Sequence, residues 1–221
     1  MVRRTRVKIC CISSAEEASM AIAAGADALG LVGAMPTPVG VIDDGLAASI
    51  ARRIPPPVAG VALTSEQTAE AMAAHVERVG INTLQVVHHG DPAVLDALRG
   101  MMPRLRIIQV VHVEGEDALA LIDRYKDVAD AFLLDSGKPS AGGRALGGTG
   151  QTHDWQVSAA FVKASPRPVF LAGGLNPDNI EEAIRAVRPF GVDVCSRLRT
   201  DGALDTEKLH AFLEGVRRAD S

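Results

Sequence analysis

The run Val7-Lys8-Ile9-Cys10-Cys11-Ile12, followed after Ala15–Ala24 and Gly25 by Ala28-Leu29-Gly30-Leu31-Val32, sets the pattern of the whole chain. A short apolar stretch is followed by an alanine-rich amphipathic stretch, and a second apolar stretch closes the unit. The apolar runs are continuous rather than alternating. This is expected of parallel strands buried on both faces, one against helices and the other against a second apolar layer. The same reading predicts strands at Val58–Leu63, Thr83–Val87, Arg106–Val113, Ala131–Asp135, Val169–Ala172 and Gly191–Cys195. Helices are predicted between them at Ala15–Ala24, Ser65–Val79, Gly115–Lys126 and Pro177–Val187, with Gly25 and Gly80 at helix ends and Asn176-Pro177 as a helix start. Eight such units predict a single-domain (β/α)8 TIM barrel of class α/β over residues 1–221. A doubly wound open sheet is the alternative. The first strand, however, is not followed by the G-x-G-x-x-G of a dinucleotide-binding turn.

Composition narrows the function. A chain of 221 residues buries roughly 70% of the surface exposed when unfolded, so it needs neither metal nor disulfide to fold. Aromatic residues make up 3% of the chain and the formal charge is −4, which argues against nucleic-acid and anionic-membrane partners. No apolar run approaches a membrane span, and the basic Met1–Val7 segment leads into a strand rather than a signal-peptide core. Three cysteines, two of them adjacent, make a poor disulfide framework, so a reducing, cytoplasmic location is expected.

In a barrel, chemistry sits at the carboxyl ends of the strands. Alternation puts Lys8 and Cys10 on one face of the first strand. If that face points inward, the Lys8 charge favours a thiolate at Cys10; otherwise Cys10 is a plain buried residue and Lys8 reaches outward. Asp135 leaves the sixth strand and either caps the next element or enters the mouth. The glycine-laden Gly137–Gly150 loop that follows, with Gly147-Gly148-Thr149-Gly150 at its end, reads as a lid or as an anion nest. Gly173 and Gly174 after the seventh strand, and Ser196 and Arg197 after the eighth, occupy the recurrent phosphate place of such barrels. A tight turn is the plainer reading of the two glycines.

Taken in order, several segments resemble the phosphoribosylanthranilate isomerase family over about Val7 to Arg217. They are Val7-Lys8-Ile9-Cys10, Ala24-Gly25-Ala26-Asp27-Ala28-Leu29-Gly30, Leu133-Leu134-Asp135-Ser136, Gly147–Trp155, Leu171–Pro177 and Ala186–Val194. The resemblance implies an Amadori rearrangement of a phosphoribosyl amine, without cofactor or metal, in a monomer or homodimer. It also implies Asp135 as general acid, Cys10 as general base and phosphate binding by Gly148, Gly173, Gly174, Ser196 and Arg197. The chain departs from the family at the carboxylate end of the substrate. Ala34–Gly40 holds no arginine, and His112 stands where the fifth strand usually ends in one. In the fourth strand Gln85 is displaced, for which a bulge would account, and His88 or His89 would face the mouth. Cys11 replaces a glycine, and Arg197-Leu198-Arg199 replaces the segment after Ser196. Arg144, Arg197 and Arg199 are the candidate replacement cations, with His112 and His89 as candidate contacts. Two other readings stand beside this one: an isomerase of the same mechanism acting on a different phosphorylated aminosugar, and a barrel that binds a phosphorylated ligand without catalysis. A Schiff-base aldolase is disfavoured because Ala131–Asp135 carries no lysine.

Overall fold

The computed structural model describes residues 4–36, 40–136 and 154–221. Among them, eight parallel strands close in sequence order into a barrel, with β1 paired to β8. The order is β1 (Arg6–Ile9), α1 (Ala15–Ala24), β2 (Ala28–Val32), α2 (Asp44–Ala51), β3 (Ala59–Thr64), α3 (Ala69–Val79), β4 (Thr83–Val86), α4 (Pro92–Met101), β5 (Arg106–His112) and α5 (Ala120–Tyr125). There follow β6 (Ala131–Asp135), α6 (Trp155–Ala164), β7 (Val169–Leu171), α7 (Ile180–Val187), β8 (Gly191–Val194), a short ribbon of β9 (Arg199–Thr200) and β10 (Ala203–Leu204), and α8 (Thr206–Asp220). The open-sheet alternative is excluded by closure.

Each strand feeds two apolar layers, which is why its sequence is apolar without alternation. In β6, Phe132 and Leu134 join the layer under the helices, while Ala131 and Leu133 join the barrel interior. By the same alternation β6 delivers Asp135 to the inner side at the mouth. In β1, Val7 and Ile9 face the helices and Cys10 lies in the interior cluster. The β4 register runs unbroken from Leu84 to Val86 against both neighbours, so no bulge displaces Gln85.

Helix ends follow local chemistry. Gly25 and Gly80 adopt φ of 108° and 76°, the left-handed closure that favours glycine. Three N-termini differ from the sequence reading: after Gly115 a single 3-10 turn, Glu116–Leu119, precedes α5, which starts at Ala120. In α3 the Thr68 side chain accepts from the Ala71 amide, and the helix starts at Ala69. At α7 the Asn176 side chain accepts from the amides of Asp178 and Asn179, so it caps a preliminary turn, and the helix itself starts at Ile180.

Phe132 is fully buried and meets Phe161 of α6 edge-on, with ring centroids 5.3 Å apart. Replacing Phe132 with Ala is expected to cost about 3–5 kcal/mol of stability. A urea titration checks this; an unchanged midpoint would contradict the packing described.

Candidate active site at the barrel mouth

Lys8 and Cys10 both point inward. The Lys8 ammonium is wholly buried and lies 2.9 Å from the Asp193 carboxylate, its register partner on β8. A Cβ placed on Gly30 of β2 would come within 2.7 Å of Cys10 Sγ and 3.1 Å of Lys8 Nζ. Thiol and ammonium therefore lie together over a glycine whose missing side chain makes room for them. An outward-reaching Lys8 is ruled out. Burial pushes the Cys10 thiol up to about 11, further than the Lys8 charge pulls it down, with Asp193 adding to the rise. The Lys8 charge does favour the thiolate, as expected, but desolvation of the anion outweighs it.

Asp135 enters the mouth at the end of β6 and accepts the Ser136 amide at 2.8 Å. Burial holds its carboxyl above the ordinary range, and His112, opposite it in register on β5, works against that rise. Ser136 backs onto the turn after β7, where a Cβ on Gly173 would meet the Ser136 amide nitrogen at 2.8 Å. Gly173 and Gly174 have φ of 79° and 66°. The tight-turn reading of these glycines holds, and the close approach of Gly173 is to the segment that carries Asp135.

Ser196 and Arg197 form a single 3-10 turn after β8, Ser196–Leu198, and Arg197 is exposed. Both line a cleft of about 580 Å³ together with Asn176, Pro177, Arg199 and Lys208. Gly148 and Arg144 lie outside the described residues, as does the loop around them.

The histidines and Arg199 are engaged with neighbouring protein groups. His89 Nε2 accepts the His112 amide at 3.3 Å, and the two rings are 5.3 Å apart. Burial, followed by the charges of His112, Arg124 and His88, lowers His89 to about 4. The buried His112 ring engages the Val87 carbonyl through Nε2 at 2.9 Å, while its Nδ1 has no partner among the described residues. The Arg199 guanidinium bonds Glu17 at 2.8 and 3.0 Å, the Gly202 carbonyl at 2.8 Å, and the Cys11 carbonyl, and so fastens β9 to the start of α1.

The cysteines correct a further expectation. Cys11 and Cys195 form a disulfide with Cα atoms 5.8 Å apart, leaving Cys10 as the free thiol among the described residues. Cys11 has φ of 62°, a left-handed conformation that separates its course from that of Cys10. Sequence reasoning also passed over Asp193. Its signal was legible: an acid at an inward position of an apolar strand, beside the strand that carries Lys8. Among the described residues no cluster of three or more His, Cys, Asp or Glu could hold a metal ion. No helix there is long and apolar enough to cross a membrane.

A closed (β/α)8 barrel whose mouth gathers a buried thiol, a carboxyl held toward its acid form and an enclosed ion pair defines a barrel of the acid–base isomerase type. A family model described as N-(5'phosphoribosyl)anthranilate (PRA) isomerase matches residues 7–215. The chain is 39% identical over 212 residues to N-(5'-phosphoribosyl)anthranilate isomerase 2 of Methanosarcina mazei, covering 94% of this chain and 92% of that protein. It superposes on the phosphoribosyl anthranilate isomerase of Thermus thermophilus with a TM-score of 0.81 at 30% identity, covering 97% and 99% of the two chains. A TM-score of 0.78 at 28% identity, with the same coverage, relates it to a phosphoribosyl anthranilate isomerase solved with reduced 1-(o-carboxyphenylamino)-1-deoxyribulose 5-phosphate. The chain belongs to the N-(5'-phosphoribosyl)anthranilate isomerase family.

The disulfide has a direct check. Denatured without reductant, the protein is expected to titrate one thiol, Cys10, and after reduction all three cysteines. Three reactive thiols without reductant would contradict the bridge.

Proposed function

We propose that this chain converts N-(5'-phosphoribosyl)anthranilate into 1-(o-carboxyphenylamino)-1-deoxyribulose 5-phosphate by an Amadori rearrangement. Asp135 gives its proton to the ribose ring oxygen, which breaks the C1–O bond and leaves a protonated Schiff base at C1. Cys10, as thiolate, removes the proton from C2 to give an enaminol. Tautomerisation then places a carbonyl at C2 and a second hydrogen at C1. Charge and atoms balance within the substrate, and no electron carrier takes part.

The observation that carries this reading is the environment of Asp135. A carboxyl held above its ordinary range by burial keeps its proton at a pH where an exposed aspartate has lost it, which is the state a general acid needs. Phosphate binding is assigned to the Gly173-Gly174 turn and Ser196, with Arg197 at the rim. For the anthranilate carboxylate, His112 is the residue we favour. Its Nδ1 is buried and has no partner among the described residues, which leaves it open to a substrate carboxylate. This histidine would supply one charge-assisted bond where the family's arginine supplies two. A cytoplasmic location goes with the reading, because phosphorylated intermediates do not cross membranes unaided.

Steady-state kinetics test the assignment. Cys10→Ser and Asp135→Asn are each expected to lower kcat by about 10²–10⁴-fold while product affinity stays near that of the parent protein. His112→Ala is expected mainly to raise KM, by roughly 10–100-fold, the worth of one charge-assisted bond. The parent gene should also rescue a tryptophan auxotroph that lacks this isomerase. Ligand binding without turnover in the parent protein would favour a non-catalytic barrel instead. Turnover confined to another aminosugar phosphate would replace the substrate and keep the mechanism.

A further inference from the structure

A thiol at about 11 is a poor proton acceptor at neutral pH, so the reading of Cys10 as base needs a source of anion stabilisation inside the barrel. We propose that the buried Lys8–Asp193 ion pair is a positioning pair, its carboxylate holding the ammonium in place and its ammonium serving the Cys10 thiolate. The inference rests on the role given to Cys10 above.

The geometry is that of a short dipole lying across β1 and β8. Lys8 Nζ and Asp193 Oδ1 are 2.9 Å apart, with side-chain exposures of 0% and 9%. Gly30 brings the ammonium to the same small space as Cys10 Sγ. An ammonium carries three donors, and the carboxylate oxygen takes one of them. The ammonium charge acts on the Cys10 Sγ that shares this space and favours the anion there. Cys10 faces Lys8 from its own strand and Asp193 from β8, while β2 brings only Gly30. At Cys10 the Lys8 charge favours the anion more than the Asp193 charge opposes it. The ion pair thus helps the base lose its proton. Asp193 is indispensable to this, because a wholly buried lysine without a counter-ion tends to give up its charge.

Stability alone does not account for the pair. Burying two ions costs nearly as much as their attraction returns, and apolar replacements are often neutral. During proton abstraction the C2 proton passes to Cys10 Sγ, and Lys8 keeps all three of its own. It is therefore a positioning residue rather than a proton carrier.

Alkylation of Cys10 by iodoacetamide in the folded, disulfide-bridged protein reads the thiolate without any substrate. It therefore stands apart from whether the isomerase assignment holds. Lys8→Met is expected to slow alkylation at pH 8 by tenfold or more, because an opposite charge at this range shifts a pKa by about 1–3 units. Unfolded parent and variant should alkylate at equal rates. Since Lys8→Met leaves Asp193 buried and unpaired, the double variant Lys8→Met/Asp193→Asn, which removes both charges, carries the same expectation in a fold without an orphan ion. A folded variant of either kind that alkylates at the parent rate would overturn the proposal.

Discussion

Pairing of β1 with β8 closes the barrel, and the mouth is assembled along that seam. Four register pairs, from Arg6–Gly191 to Ile9–Val194, set Lys8 against Asp193 and bring Cys10 level with the end of β8. Beyond the last pair the same two segments are joined by the Cys11–Cys195 disulfide and by Arg199, which bonds the Cys11 carbonyl and Glu17. A slip of one residue along this seam would turn Lys8 and Cys10 out of the interior and bring Val7 and Ile9 in, because side chains alternate with period two. The seam therefore fixes both the fold and the orientation of the proposed base.

The interior that this closure creates opposes the chemistry assigned to it. Hydrocarbon around Cys10 and Asp135 pushes both toward their neutral forms. For the acid this is useful. For the base it is a handicap, which a neighbouring ammonium reduces without removing. The residues that do most to decide the balance lie beneath the mouth: Lys8 and Asp193, with Gly30 leaving the room they need.

Much of the fold and part of the site were legible in the sequence. Unbroken apolar runs such as Ala131–Leu134 announce strands buried on two faces, and inward alternation carries Lys8, Cys10 and Asp135 to one interior. What stayed hidden depends on contacts between distant residues or on backbone angles. Arg199 reads as a spare cation until Glu17, 182 positions away, is seen to hold it. His89 reads as a histidine at the mouth, and nothing in the sequence says that its ring accepts the His112 amide. Adjacent Cys10 and Cys11 read as two unpaired thiols until Cys11, at a positive φ, is seen bonded to Cys195 within the same buried cluster as Cys10. The start of α7 was misplaced because Asn176 does cap a turn, one that ends before the helix begins.

Turnover of phosphoribosylanthranilate carrying deuterium at ribose C2 tests the central claim most directly. The account predicts that the purified protein forms the ribulose product with a primary isotope effect, with the label removed from C2 in every turnover, and that both features vanish when Cys10 is replaced. Product formed at an undiminished rate by a protein lacking the Cys10 thiol would contradict it.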